Sequence, residues 1–339
     1  MNTKTMKAFT FKRYGKSPEL GFDNIDYPSI GPDEILVKVY AVGLNPIDNM
    51  IPTGIFKPVL HFKLPATLGS DLSGIVIATG SRVTRFKPGD EIFASIFDRG
   101  TGSLAEFAVV PESLAAIKPA NIDFVQAASL PMVSLTAWQA LTERACLQSG
   151  QKVFIPAGSG GIGSFAIQLA KHLGAKVGTT TSSVNVEWVS RLGADEVVDY
   201  KKQEFENVLS GYDIVLGTVR GDTIEKSTRI LKPGGKIISL IGPLDAAFAR
   251  DRQLNLFLRF LFGLMSRKII RLAKKRSLSY SFLFVRPDGA QLTQISKLIE
   301  AEHIVPVIDK VFPFAAIKDA LAYLAGGHAK GKVVVKIQD

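Results

Sequence analysis

Three observations predict an α/β fold for this chain. Short apolar strands crowd the first third, strand–helix alternation runs from about residue 123 to about 240, and a Gly-rich strand-to-helix turn opens the second part. In the first third, residues 34–42 partly alternate, as in a half-buried strand. Residues 74–80 form a short run bounded by glycines, and Pro88-Gly89 turns into another at 91–94. Strands at this spacing predict a small barrel. Residues 127–141 read as a helix. Strand candidates then follow at 152–156, 176–181, 196–198, 214–216 and 236–240, the signature of a parallel, doubly wound sheet. The tail changes again, with a helix at 290–301 and a closing strand at 331–337.

The glycines of the turn have the G-x-G-x-x-G spacing: Gly158, Gly160 and Gly163, with Ser159, Gly161 and Ile162 between them. The first would permit the tight turn, the second the approach of a pyrophosphate to the backbone, and the third close helix–strand packing. Amide donors at the helix N-terminus then face the anion. The pattern is weak alone, but here it sits between a strand and a helix with a second strand at βαβ distance. It predicts a Rossmann dinucleotide site.

An NAD site places an acid about 20 residues beyond the first glycine, against the ribose 2′-hydroxyl. This chain has Thr181-Ser182-Ser183-Val184-Asn185 there, without a carboxylate. Ser182 and Ser183 leave room for a 2′-phosphate and carry hydroxyls to donate to it, with Arg191, Lys201 and Lys202 further on. The expectation is NADP(H) in preference to NAD(H).

At 339 residues the chain suits two domains. No apolar run reaches the length of a membrane span, and residues 1–11 lack the apolar core of a secretory signal. Cys146 is the only cysteine, which excludes an intramolecular disulfide and a thiolate zinc cluster and favours a reducing, cytoplasmic location. Of the net charge of +10, +8 falls between Arg250 and Arg276, where nine bases face one acid. The rest is nearly neutral, which argues against a nucleic-acid surface.

Further segments resemble the zinc-independent branch of the medium-chain dehydrogenase/reductase superfamily, the quinone oxidoreductases and enone (alkenal) reductases. They are Gly43-Leu44-Asn45-Pro46-Ile47-Asp48, Gly69-Ser70-Asp71-Leu72-Ser73-Gly74, Gly102-Ser103-Leu104-Ala105-Glu106-Phe107, Ala127-Ala128-Ser129-Leu130-Pro131 through Thr136-Ala137, Leu231-Lys232-Pro233-Gly234-Gly235 and Gly331-Lys332-Val333-Val334. The resemblance implies a split GroES-like catalytic domain, residues 1–127 and 280–339, around a Rossmann domain, residues 128–279, with the cofactor in the cleft between them. It also implies a homodimer.

The zinc-dependent relatives hold their metal with a Cys and a His, and here Asn45 and Ser70 stand at those positions. The four histidines, His61, His172, His303 and His328, have no ligand spacing. The expectation is a protein without zinc. Without a Lewis acid for an alkoxide, conjugated acceptors suit best, because their charge delocalises. The expected activity is hydride transfer from NADPH to a small hydrophobic quinone or to the C=C bond of an α,β-unsaturated carbonyl. The alternative is an NADPH-binding redox sensor or scaffold without turnover.

By the same resemblance, Thr136 contacts the nicotinamide side and Tyr200 lies beside the adenosine phosphate. Asn185 stands where many relatives have a phosphate-binding lysine. Ile241, Gly242, Phe284 and Arg286 approach the nicotinamide ribose and carboxamide. Asn45, Asp48 and Phe56 line the substrate end, Asp48 being read equally as a loop-capping residue. Tyrosines common in bacterial relatives are replaced by Met50 and Phe56, so no catalytic acid is assigned.

Residues 254–276 combine an apolar run with seven of those nine bases. As a helix they would put Leu254, Leu258, Leu261, Met265 and Leu272 near one face and Arg267, Arg271, Lys274 and Lys275 mostly opposite. Two readings follow: a cap over the active site or dimer interface with a solvated basic face, and a peripheral contact with anionic lipid.

Overall fold

The structure, a computed structural model, describes residues 5–338; the first four positions of the stretch read for a signal lie outside them. It divides into two compact units, Met1–Leu135 with Arg286–Asp339, and Thr136–Val285.

The second unit holds six parallel strands in the spatial order Glu196–Asp199, Lys176–Thr181, Lys152–Ile155, Tyr212–Gly217, Leu231–Ser239, Ser279–Phe282. Numbered along the unit, this is the order 3-2-1-4-5-6 of a dinucleotide-binding sheet. The order reverses between Lys152–Ile155 and Tyr212–Gly217, and such a switch point is where ligands bind in open α/β sheets. Phe154, Tyr212, Val215 and Ile237 form part of the core of this unit. Gly178 is required there because a Cβ would lie 2.0 Å from the Tyr212 hydroxyl.

The sixth strand was not anticipated. The expected boundary at 279/280 cuts through it, whereas the unit continues to Val285. In Ser279–Phe282 only Phe282 is buried, so the segment carries almost no apolar signal. The expected helix at 127–141 is also interrupted. Phe124–Ala128 is one short helix and Pro131–Trp138 another. Pro131 opens the second at the position where a missing N–H costs nothing. A π-helical turn, Gln139–Arg144, follows.

In the first unit, Glu34–Leu44 is the hub of a seven-stranded sheet. It pairs antiparallel with Lys332–Lys336, Asp71–Thr79 and Phe107–Pro111. The sheet runs on through Glu91–Ser95 to Ala115–Ile117 at one side and to Ile308–Pro313 at the other. A smaller sheet joins Glu19–Asp26, Thr5–Arg13 and Ala66–Thr67. The hub strand is buried on both faces near its end, where Phe124–Ala128 packs on it. Gly43 makes that packing possible, since a Cβ would lie 2.1 Å from the Ala128 carbonyl oxygen. The register Val333 opposite Leu44 brings the tail strand's Lys332 to Asn45.

The basic segment is helical over Leu256–Lys275, but its orientation differs from the expectation. The buried stripe is Phe262, Ser266, Ile269 and Ala273, with Leu272 packed at its edge. Leu261 and Met265, expected on one face with Leu272, are exposed, whereas Leu272 packs against the core. The sequence pattern misleads because apolar residues occur all round the first half of the helix, and the inner stripe includes a serine. Ser266 resolves its burial by donating to the Phe262 carbonyl oxygen at 2.9 Å.

Candidate functional site

The glycine turn works differently in detail from the sequence argument. The backbone turns at Ala157, which adopts φ 56°, and not at Gly158. Gly158 is required for space: a Cβ would meet Thr179 Oγ1 at 2.3 Å and Ile167 Cδ1 at 2.9 Å. Gly163 packs as expected, with 2.3 Å between a hypothetical Cβ and the Ala157 carbonyl oxygen. At Gly160 the nearest atom would be that same oxygen at 3.4 Å, so the protein leaves this position open. The helix Gly161–His172 begins here, and its first ladder bond is Ser164 N–H to Gly160 O. The amides of Gly161, Ile162 and Gly163 therefore lie outside the helix's own ladder. Open space at Gly160, free first-turn amides and the positive end of the helix dipole fit the pyrophosphate of a dinucleotide.

Beyond the second strand, where the 2′-phosphate was expected, Ser182 and Ser183 are already engaged. Ser183 Oγ donates to Asp199 Oδ2 at 2.5 Å, which corrects the expectation that it is free for a 2′-phosphate. Ser182 Oγ accepts from Asn185 Nδ2 at 3.0 Å, and Asn185 Oδ1 accepts from Trp188 Nε1 at 3.1 Å. Asp199 ends the adjacent strand Glu196–Asp199, one position beyond the strand predicted for it, and supplies the carboxylate missing from the second strand. The Ser183 hydrogen bond, the Lys201 amide and nearby Lys202 hold its carboxyl below the usual range. Tyr200, Lys201 and Lys202 stand exposed beside it.

In the first unit, Asn45 and Asp48 belong to a buried polar cluster built from four segments. Asn45 Nδ2 donates to Asp71 Oδ2 at 3.0 Å, and Asn45 Oδ1 accepts from Lys332 Nζ at 2.6 Å. Lys332 Nζ lies 3.6 Å from Asp71 Oδ2, both side chains being almost wholly buried. Asp71 also accepts the Met132 amide through both oxygens at 3.1 Å. That amide belongs to the first turn of Pro131–Trp138, where the helix dipole favours an anion. Asp48 accepts the Asn45 amide at 2.7 Å and the Ser70 hydroxyl at 3.0 Å, so it caps its own helix, Pro46–Met50. Burial pushes the Asp48 carboxyl up to about 7. Burial likewise raises Asp71 and lowers Lys332, each partly offset by the opposite charge of the other. Asp48 is fully buried and Asn45 nearly so, with its amide engaged internally.

Thr136 is buried in the helix Pro131–Trp138. Ile241 packs against the core of the second unit, and Gly242, at φ 96°, accepts the Ser239 hydroxyl on its carbonyl oxygen at 2.7 Å. Phe284 packs on Phe248, and the Arg252 guanidinium lies 5.1 Å over its ring. Arg286, in the first unit, is exposed and 3.7 Å from Asp288. Phe56 is half-buried. Beside its loop stands Tyr14, which the sequence reading passed over, with Lys57 Nζ 4.6 Å over the ring.

The chain matches two family descriptions. Residues 31–120 match the alcohol dehydrogenase GroES-like domain, and residues 192–335 match a zinc-binding dehydrogenase domain. It is 35% identical to an NADPH-dependent alkenal/one oxidoreductase of Arabidopsis thaliana, over 98% of this chain and 80% of that protein. It is 33% identical to a chloroplastic quinone-oxidoreductase homolog of Spinacia oleracea, over 99% and 100%. Among solved structures, the quinone oxidoreductase from Coxiella burnetii superposes with a TM-score of 0.83 at 30% identity, covering 99% of this chain and all of that one.

The residues here do not fit the zinc named in the second description. At the resembling positions stand the amide of Asn45 and the hydroxyl of Ser70, neither a good zinc donor. An ammonium, Lys332 Nζ, already lies against Asn45 and Asp71, where a dication would meet like charge. No group of three or more His, Cys, Asp or Glu among the described residues is arranged to hold a metal.

Proposed function

Because the chain belongs to the medium-chain dehydrogenase/reductase superfamily, in its quinone and enone reductase branch, and is a nicotinamide-dependent oxidoreductase, we propose that it is a metal-free NADPH-dependent reductase. Its substrates are small hydrophobic quinones or α,β-unsaturated carbonyls. The observation carrying this reading is the Lys332 ammonium lodged among Asn45, Asp71 and Asp48. A fixed internal cation pairs with the buried Asp71 carboxylate where zinc-dependent relatives have their metal, so the fold is kept and the Lewis acid is not. Conjugated acceptors need that acid least.

When bound, the reduced nicotinamide supplies the hydride for the β-carbon of an enone or for a quinone. The chain's own residues bind and orient. The amides of Gly161, Ile162 and Gly163 hold the pyrophosphate, and Gly160 admits it. Lys201, Lys202 and Tyr200 take the 2′-phosphate, with the nearby Asp199 charge bound locally by Ser183 and the Lys201 amide. Thr136, Ile241, Gly242, Phe284 and Arg286 serve the nicotinamide end. Phe56 contributes to the substrate wall. Asn45 and Asp48 act from within the cluster as supports, and solvent supplies the proton. No helix among the described residues is long and apolar enough to cross a membrane, and the unpaired, exposed Cys146 suits a reducing cytoplasm.

NADPH oxidation against a benzoquinone, a polycyclic quinone, an alkenal and a vinyl ketone tests the proposal, with NADH in parallel and chelator present. Turnover of at least one acceptor, undiminished by chelator and faster with NADPH, is expected. Tight NADPH binding without turnover of any acceptor would overturn it.

A further inference from the structure

The helix Leu256–Lys275 presents to solvent a face that neither the sheet nor the redox reading uses. Its inner stripe is Phe262, Ser266, Ile269 and Ala273. At 3.6 residues per turn the opposite face carries Phe257, Phe260 and Leu264 in the first half and Arg267, Arg271 and Lys275 in the second. The apolar half is open to water: Phe257 is 70% exposed, Phe260 72% and Leu264 53%, with Leu256 and Met265 exposed beside them. The helix contains no acid. Arg259, Arg267, Arg271, Lys274 and Lys275 make no ion pair among the described residues, whereas Lys268 reaches Glu225 at 3.3 Å. Apolar and cationic groups are therefore segregated along the axis of one outward face, not across it.

We propose that this face docks peripherally on an anionic lipid bilayer. A contiguous exposed apolar patch marks an interaction surface, and its cationic continuation selects the partner. A second copy of the chain would set one acid-free cationic helix against another. A duplex nucleic acid would meet the charges but keep its bases stacked on one another, away from the phenylalanines. An anionic bilayer offers both layers at one surface: the acyl boundary, about 5–10 Å below the headgroups, for Phe257, Phe260 and Leu264, and the headgroups for the bases. Charge and apolar burial then act together, as stable peripheral binding requires. The proposal does not depend on the identity of the acceptor.

Flotation of the full chain with phosphatidylcholine vesicles, with and without phosphatidylserine, tests it. The wild type is expected to float with the anionic vesicles alone and to be released by salt. Combined Arg267→Gln, Arg271→Gln, Lys274→Gln and Lys275→Gln should lower partitioning by roughly a hundredfold or more, at about fivefold per base. Combined Phe257→Ser, Phe260→Ser and Leu264→Ser should abolish flotation while the melting curve stays that of the wild type. Failure of the wild type to float at low ionic strength would overturn the proposal, as would equal flotation of the wild type and the glutamine variant. If the serine variant changed from dimer to monomer by light scattering and still floated, the face would belong to a second copy.

Discussion

Replacing Lys332 with methionine removes the one cation of the buried cluster and keeps its length and most of its volume. Lys332 Nζ lies 3.6 Å from Asp71 Oδ2 and 2.6 Å from Asn45 Oδ1. At an effective dielectric constant of about 20, the attraction to Asp71 amounts to about 5 kcal/mol. Removing one partner of a buried pair leaves the other charged and desolvated, at a cost of about 3–5 kcal/mol. The Lys332→Met variant should lose stability on that scale in urea unfolding followed by far-ultraviolet circular dichroism. The loss should be largest above neutral pH and shrink in acid, where Asp71 escapes by taking up a proton. Asp71→Asn in the same chain should restore much of the loss, because the carboxylate nearest the missing cation is then gone. A single variant within about 1 kcal/mol of the wild type at neutral pH would refute the reasoning, since the cluster would not then depend on its internal cation.

The same cluster sets a pH dependence. Asp48, pushed up to about 7 from 3.8, holds in the folded state a proton that the unfolded chain has released. Its contribution is thus full at acid pH and lost as the pH rises through about 7, and the raised Asp71 has the same sign. Urea midpoints measured across that window should fall with pH, and Asp48→Asn should flatten the slope. The glycines of the turn should separate folding from binding. Gly160→Ala should retain wild-type stability and weaken NADPH about tenfold or more in a titration, through loss of a charge-assisted contact. Gly158→Ala, whose Cβ would meet Thr179 Oγ1 at 2.3 Å, should lower the melting temperature itself. Asp199→Asn should raise the NADPH-to-NADH ratio of kcat/KM, because it removes an anion beside the proposed 2′-phosphate site and loosens its hold on Ser183. An unchanged ratio would remove Asp199 from cofactor choice.

Much of the fold was legible because its signals are local. The glycine turn follows the apolar run of Lys152–Ile155, similar runs mark Tyr212–Gly217 and the end of Leu231–Ser239, and the βαβ spacing places Lys176–Thr181. The sixth strand, Ser279–Phe282, was not legible, because an edge strand with one buried side chain has no pattern to read. The turn residue was misassigned to Gly158 because glycine is the usual carrier of a positive φ, while here Ala157 adopts it and Gly158 is held by packing. Asn45 and Asp48 were visible as residues, but their environment was not. Lys332 stands 287 positions from Asn45 and reaches it only through the antiparallel register of the tail strand. The Asp199–Ser183 bond likewise joins the ends of two neighbouring strands. The outward face of Leu256–Lys275 was misread because a helix apolar on every side in its first half does not declare which side is covered.

The chemistry proposed for this protein is hydride transfer to a conjugated acceptor without a metal. Its most direct test is one reaction: NADPH deuterated at C4, a vinyl ketone, and chelator-treated enzyme, with the product analysed by nuclear magnetic resonance. Deuterium is expected on the β-carbon of the saturated ketone, at a rate that chelation and added zinc leave unchanged. Absence of deuterium from that carbon, or a rate lost to chelator and restored by zinc, would contradict it.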